Sequence, residues 1–268
     1  MKNKNRRSKK IFSIIGIAFL SIFVIAVGIV AVIANKNVKA MNNCVEAALA
    51  ELQKHYTATE RDPQEYKEIT LYGVMKFHVE QYDIKELGNL SVMRVNMGVM
   101  QMATFVITPR DTNMPLLSAD YIYVLSNRKA YMEFYDVVEE KDSSYLKLLD
   151  ALGETIKNYD YLEKVETAPA WYEHLLTVTA YKGGSFDTDQ DLQNILVDSL
   201  TTYLKHAKQQ PLLTEEEKAR KQEITVEYTD GLIEKGGIST DVFKKELGDE
   251  ETRKFFSQVF FGTGVEEG

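Results

Sequence analysis

The sequence predicts an α/β domain, a mixed or antiparallel sheet covered by helices, carried behind one transmembrane helix. Three observations predict it. Ile11 to Ala34 is an uncharged run of 24 residues. Period-two alternation of β-forming residues dominates residues 70–136, and helical periodicity dominates the chain from Tyr145 onward.

The composition agrees. Apolar residues make up 44% and charged residues 27% of 268, which is globular and excludes a disordered or fibrous chain. The length allows one large domain or two small ones. The single cysteine, Cys44, excludes an intrachain disulfide framework and a cysteine-built zinc site. The net charge of −8 is unevenly placed: residues 1–34 hold six bases and no acid, leaving 26 bases against 40 acids beyond them. A body at −14 repels phosphate backbones, so nucleic acid is excluded as a partner.

Along the chain, residues 1–10 form a basic tail and 11–34 the anchor, long enough to cross roughly 30 Å of hydrocarbon. A cleaved signal peptide is the alternative, with Val38-Lys39-Ala40 as a loose peptidase site. Six bases before the span and two after it, Lys36 and Lys39, predict a single-pass membrane protein with a cytoplasmic N-terminus and an outward-facing body. Residues 35–65 read as a linker and a first helix, with Val45, Ala48, Leu49, Leu52 and Tyr56 on one stripe. The main domain covers 66–261 and a short tail 262–268. Four strands are predicted at Thr70–Tyr82, Ser91–Thr108, Ser118–Leu125 and Lys129–Asp136, with turn residues at Gly88-Asn89 and Ser126-Asn127. Helices follow through Tyr145–Ile156 and Leu192–Tyr203. Thr188…Asp191 and Thr214…Glu217 have capping-box spacing. Val242–Leu247 and Arg253–Phe261 close the chain around Gly248, a helix terminator.

Most motifs that carry chemistry are missing. No phosphate-binding Gly-Lys-Ser/Thr loop, G-x-G-x-x-G or H-E-x-x-H occurs. Asp187-Thr188-Asp189-Gln190-Asp191 opens like a calcium loop, but Leu192 stands where the turn needs glycine; a turn with a helix cap is the better reading. His55 and His206 fall on polar helices and read as solvated. Met93, Met97, Met100, Met102 and Met114 read as core residues, with a soft ligand pocket as the alternative. Alternation along the first strand projects His78 and Glu80 together. Asp120 is the one charge in the run Leu116 to Leu125. It is either a solvated residue on an open sheet face or a carboxyl whose apolar neighbours raise its pKa for proton transfer.

Several blocks, in order, carry a resemblance. Thr108-Pro109-Arg110 through Pro115–Asp120 resembles the F-P-R…D-L-P-I-F-G-x-D segment of ferredoxin-dependent bilin reductases. Lys76-Phe77-His78-Val79-Glu80 resembles their K-L-H-L-E strand, and Ala168-Pro169-Ala170-Trp171 their P-x-W-G. Val242–Gly248 and Phe256–Phe261 resemble their last two blocks.

The resemblance implies a three-layer α/β/α sandwich with a central, mainly antiparallel sheet holding a linear tetrapyrrole. It also implies no bound metal or flavin, single electrons from an external donor (ferredoxin in the family) and protons from the protein. By position, Asp120 matches the family's central proton-donating aspartate and Glu80 its vinyl-protonating glutamate. Thr104 stands where the family has a histidine, so His78 becomes the alternative partner of Asp120. Lys235 takes the place of the propionate-binding base, and Thr104 and Met102 join it as substrate contacts. The expected function is a membrane-anchored reductase of a biliverdin-like tetrapyrrole. A noncatalytic tetrapyrrole- or lipophile-binding module is the alternative.

Overall fold

A computed structural model describes the backbone of residues 2–264 and the side chains of 24–264 other than Ile238 and Ser239. The basic side chains before the expected anchor, the first half of the apolar run and residues 265–268 of the tail lie outside the described side chains.

The chain opens on one unbroken helix, α1 (Lys2–His55). The expected linker after Ala34 is therefore helical. Its polar stretch around Asn35 to Asn43 reads as loop, yet Asn37, Met41 and Cys44 are buried against the body. Among the described residues nine strands form a single sheet: β1 (Ala58–Arg61), β2 (Glu68–Leu71), β3 (Met75–Ile84), β4 (Gly88–Asn96), β5 (Met100–Pro109), β6 (Leu116–Val124), β7 (Asn127–Tyr135), β8 (Glu163–Lys164) and β9 (Leu176–Gly184). Their order is β1-β3-β4-β5-β6-β7-β9-β8, with β2 also on β3, and every pairing is antiparallel.

The last strands of the sheet and two of its hairpins differ from expectation. Thr70–Tyr82 is a hairpin, turned by Tyr72 and Gly73 at positive φ. Ser91–Thr108 is a second hairpin, turned at Met97-Gly98-Val99 with Gly98 at φ 73°. Gly88 opens β4 instead of sitting in a turn. Strand β9, which carries Thr177 and Thr179, lies in the half expected to be helical.

Helices cover both faces. α1, α2 (Ser143–Lys157) and α3 (Asp189–Ala207) bury Leu52, Leu148 and Leu200 against Leu90, Phe105, Leu117 and Phe134 of the sheet. On the other face lie α4 (Glu215–Glu234), α5 (Ile238–Leu247), α6 (Asp249–Lys254) and a π-helical turn, Phe255–Phe260. Their Tyr228, Phe243 and Phe256 pack on Phe77, Val79, Met93 and Val106.

The helix signals have physical causes. Asp142 caps α2 by accepting from the Ser144 and Tyr145 amides at 2.9 and 2.7 Å. Thr214 and Glu217 form the expected capping box of α4. Thr188 makes no such bond; its hydroxyl donates to Ser185 O at 2.8 Å instead. Gly248, at φ 83°, ends α5 as expected. Lys221 fixes α4 to the sheet end, its ammonium donating to Met114 O at 2.8 Å and Val137 O at 3.2 Å; burial pushes its pKa down to about 7. His55 is not solvated: it lies mostly buried, 3.0 Å from Glu51.

Candidate functional site

Asp120 stands mid-strand in β6, flanked in register by Thr104 of β5 and Tyr131 of β7. Paired residues of an antiparallel sheet project to the same side, so this row faces the layer of α4–α6. Toward the interior of that face, Val106, two residues from Thr104, and Leu116, four from Asp120, are sealed in the core. Asp120, Ile122 and Val124 emerge progressively from cover. The Thr104 hydroxyl donates to Asp120 Oδ1 at 2.5 Å. Desolvation nonetheless raises the Asp120 carboxyl to about 6, with the nearby Glu133 charge adding to the rise and the Thr104 bond opposing it. A carboxyl poised there gives and takes protons near neutral pH.

The surroundings of Asp120 are aromatic. Glu133 of β7 lies diagonally beside it and accepts from the Tyr135 and Tyr181 hydroxyls, the latter at 2.7 Å. Tyr135 meets Tyr172 and Tyr228 at ring distances of 5.7 and 4.7 Å. Trp171 packs on Tyr228 and donates its indole N–H to Gly236 O at 2.9 Å. That packing needs Gly231, since a Cβ there would meet the Trp171 ring at 2.3 Å. The charges of Asp120 and Glu133 push the Tyr172 and Tyr228 hydroxyls up after burial itself, so both phenols stay protonated.

Of the residues expected in the site, Asp120, Thr104 and Met102 share one face. Met102 pairs with Val95 and Ile122 and is half-buried. Lys235 closes α4 on the same side, its ammonium 4.6 Å over the Trp171 ring.

Glu80 and His78 are not with them. Their register partners are Val92 and Arg94, and Val92 belongs to the opposite core, so both project from the α1 side of the sheet. There Glu80 ion-pairs with Arg94 and accepts from Tyr82 at 3.0 Å, while His78 lies 2.5 Å from Glu68. Neither can partner Asp120 through the intervening sheet, which corrects the expected pairing.

The expectation also missed Glu133, the one acid between Ala130 and Tyr135, although it interrupts its strand just as Asp120 interrupts β6. Among the described residues no group of three His, Cys, Asp or Glu side chains could hold a metal. The Asp187–Asp191 segment forms the expected turn, a short 3-10 turn entering α3, but without the side-chain cap that was expected with it. The methionines divide: Met93 and Met114 are core, while Met97, Met100 and Met102 stay partly open.

The architecture defined here is a three-layer α/β/α sandwich on an all-antiparallel sheet, with a carboxylate and tyrosine floor on one face. Bilin reductases have this fold. Tomato phytochromobilin synthase, solved in complex with biliverdin, superposes with a TM-score of 0.68 at 14% identity, over 85% of this chain and 84% of that one. No family model matches the sequence, and no curated protein matches it.

Proposed function

We propose that this chain is a membrane-anchored reductase of a linear, biliverdin-like tetrapyrrole, with Asp120 as the proton donor. The observation that carries the reading is the position of Asp120: a carboxyl with a pKa near 6, on a tyrosine-lined sheet face of a fold shared with the tomato enzyme, which was solved with biliverdin. A linear tetrapyrrole is flat, conjugated and rich in N–H donors. Aromatic rings supply its contact area, and a carboxylate suits its pyrrole nitrogens.

Each reduction adds two electrons and two protons to one double bond. A donor protein delivers the electrons singly, and the tetrapyrrole becomes more basic with each one. Asp120 then gives up its proton and regains one from solvent. Thr104 holds the carboxyl in place, while the Glu133 charge keeps its proton affinity high. Lys235 is suited to pair with a propionate of the substrate. The acidic body repels an acidic ferredoxin, so the donor is a basic or membrane-bound carrier.

The anchor belongs to the same proposal. α1 is the one helix among the described residues that is long and apolar enough to cross a membrane. Val24 to Ile29 along it are exposed. The positive charges ahead of it put the N-terminus in the cytoplasm and the body outside. Protease added to intact spheroplasts should degrade the body; protection until lysis would reverse the orientation.

One observation favours a second reading, a tetrapyrrole-binding module without turnover: the nearest partner of Asp120 is a threonine hydroxyl, which does not titrate. Absorption spectra of the full chain mixed with biliverdin separate the two. A shifted band that bleaches under a chemical reductant supports reduction. A shifted band that persists supports binding alone, and an unshifted spectrum overturns both.

A further inference from the structure

The turns of the sheet divide cleanly by end. β2, β4, β6 and β9 run toward one end, where their chain reversals lie at 72–74, 97–99, 125–126 and 185–187. That is also where α1 leaves the body. Asn37 of α1 donates its side-chain amide to Leu125 O at 3.1 Å, and the Leu125 amide donates to Val99 O at 3.1 Å. Arg128, fully buried, donates to Asn37 Oδ1 at 2.9 Å and pairs with Asp189 at 2.6 Å. Lys36 lies 3.9 Å over the Phe186 ring. These contacts fix the emerging helix to the hairpin tips, so the exposed apolar part of α1 continues directly from them.

The tips themselves are apolar. Val99 is 48%, Leu125 44% and Val124 39% exposed. Tyr72 and Val74 at the next hairpin and Tyr161, held on Asp191 of α3, are exposed as well. Off the helix, the remaining exposed large apolar residues among the described ones are Leu146 and Leu212. Turn tips in water favour Gly, Asn and Asp. Here Leu125 and Tyr72 occupy positive φ, 52° and 51°, where a bulky side chain costs on the order of 1 kcal/mol or more. Clustered apolar side chains held outward at such a cost mark a surface that is covered in use.

We propose that this end of the sheet lies in the headgroup and upper acyl layer of the membrane that holds α1, and that the Asp120 site opens into that layer. The proposal rests on the anchor reading above and adds to it a docked orientation and a route of entry. From Asp120 to Val124 is four residues, about 13 Å along the strand. The side chains lining that distance on the same face are Met102, Ile122, Met100 and Val124, in two register pairs and all partly open. A lipophilic tetrapyrrole dissolved in the bilayer would slide along this stripe to the carboxyl without crossing water.

Depth-dependent fluorescence quenching tests the docking on the full chain in phosphatidylcholine vesicles. Cys44 is buried, with its thiol pushed up to about 12, so probes attach at introduced cysteines without removing it. Probes at Val99 and Leu125 should be quenched at least twofold by spin-labelled lipid, and probes at Leu146 and Leu212 should not. Quenching at Val27 but not at Val99 or Leu125 would overturn the docking while leaving the anchor intact. No quenching at Val27 would remove the anchor and the docking together. For entry, biliverdin dimethyl ester is supplied either inside the vesicles or from aqueous solution. The V124D/L125D chain should load at least tenfold more slowly from vesicles and at the wild-type rate from solution. Equal slowing from both sources, or no slowing from either, would overturn the route. A chain that shifts the pigment spectrum from neither source would sink the tetrapyrrole reading, and quenching would still decide the docking.

Discussion

The two faces of the sheet are made by alternate residues of the same strands, yet they are built to different ends. Toward α1–α3, β5 and β6 present Ala103, Phe105, Leu117, Ala119 and Tyr121, all buried in a continuous apolar core. Toward α4–α6, the intervening residues are apolar at Val106 and Leu116 and again at Met102 and Ile122; between them come Thr104, Ser118, Asp120 and, on β7, Glu133. The first face gains the full hydrophobic contribution of its area, about 25 cal/mol per Å². The second gives up part of that stability to keep a desolvated carboxyl beside Thr104 and Glu133. Period-two geometry lets one set of strands serve both purposes, because a change on one face leaves the other's side chains untouched.

The largest expected effect breaks the comparison at its polar centre. Asp120→Asn keeps the shape but removes the transferable proton, so reduction of bound biliverdin should slow about 10²–10⁴-fold, read by stopped-flow absorbance. Stability should move the other way. Because folding raises the pKa of Asp120 to about 6, its contribution is fully present below its unfolded value near 3.8 and is lost as pH rises through 6. The variant should melt like the wild type near pH 4 and be more stable at pH 7, by about 1–3 kcal/mol. Unchanged turnover would remove Asp120 from catalysis. Identical melts at both pH values would show that its carboxyl is not desolvated.

Phe105→Ala makes the converse cut. It empties a fully buried ring site on the α1 face and should cost about 3–5 kcal/mol in urea unfolding, with turnover per folded molecule unchanged. A comparable loss of turnover would mean that the faces are coupled.

Glu133→Gln is smaller and sharper. Removing the charge that helps to raise the Asp120 pKa should move the alkaline fall of the rate to lower pH, several-fold in rate at pH 7. A profile that keeps its midpoint would detach Glu133 from the proton.

What the sequence revealed of this arrangement follows the same division. α2, α3, β6 and β7 were legible because each buries one regular stripe, and Asp120 stood out as the charge that broke one. The turns at 72–74 and 97–99 were hidden because Tyr72, Val74 and Val99 continue the apolar pattern where polar turn formers are expected. The tip that meets the emerging helix, at 125–126, was marked by Ser126-Asn127, while its bond from Asn37 to Leu125 O had no local signal. The helical stretch from Asn35 to Asn43 was hidden by its polar residues, whose reason is the buried Asn37–Arg128 contact, 91 residues apart in sequence.

Parity also explains the fate of Glu80, and with it the smallest expected effect. Alternation within β3 puts His78 and Glu80 on a common side, but nothing local says which layer of the sandwich that side meets. The register with β4 decides it: Glu80 opposes Val92, in the core of α1–α3, while Val79 opposes Met93, under α4–α6. A Glu80→Gln chain should therefore reduce biliverdin at the wild-type rate and to the same product. It should lose only its ion pair with Arg94, about 1 kcal/mol at a partly exposed pair, and that loss should shrink in high salt. Product analysis by absorption after complete turnover is the decisive measurement. A changed product would bring Glu80 within reach of the pigment, which the sheet forbids if the substrate lies against Asp120. The division of labour between the faces would then be wrong, and the tetrapyrrole would have to bind at the β3 edge instead.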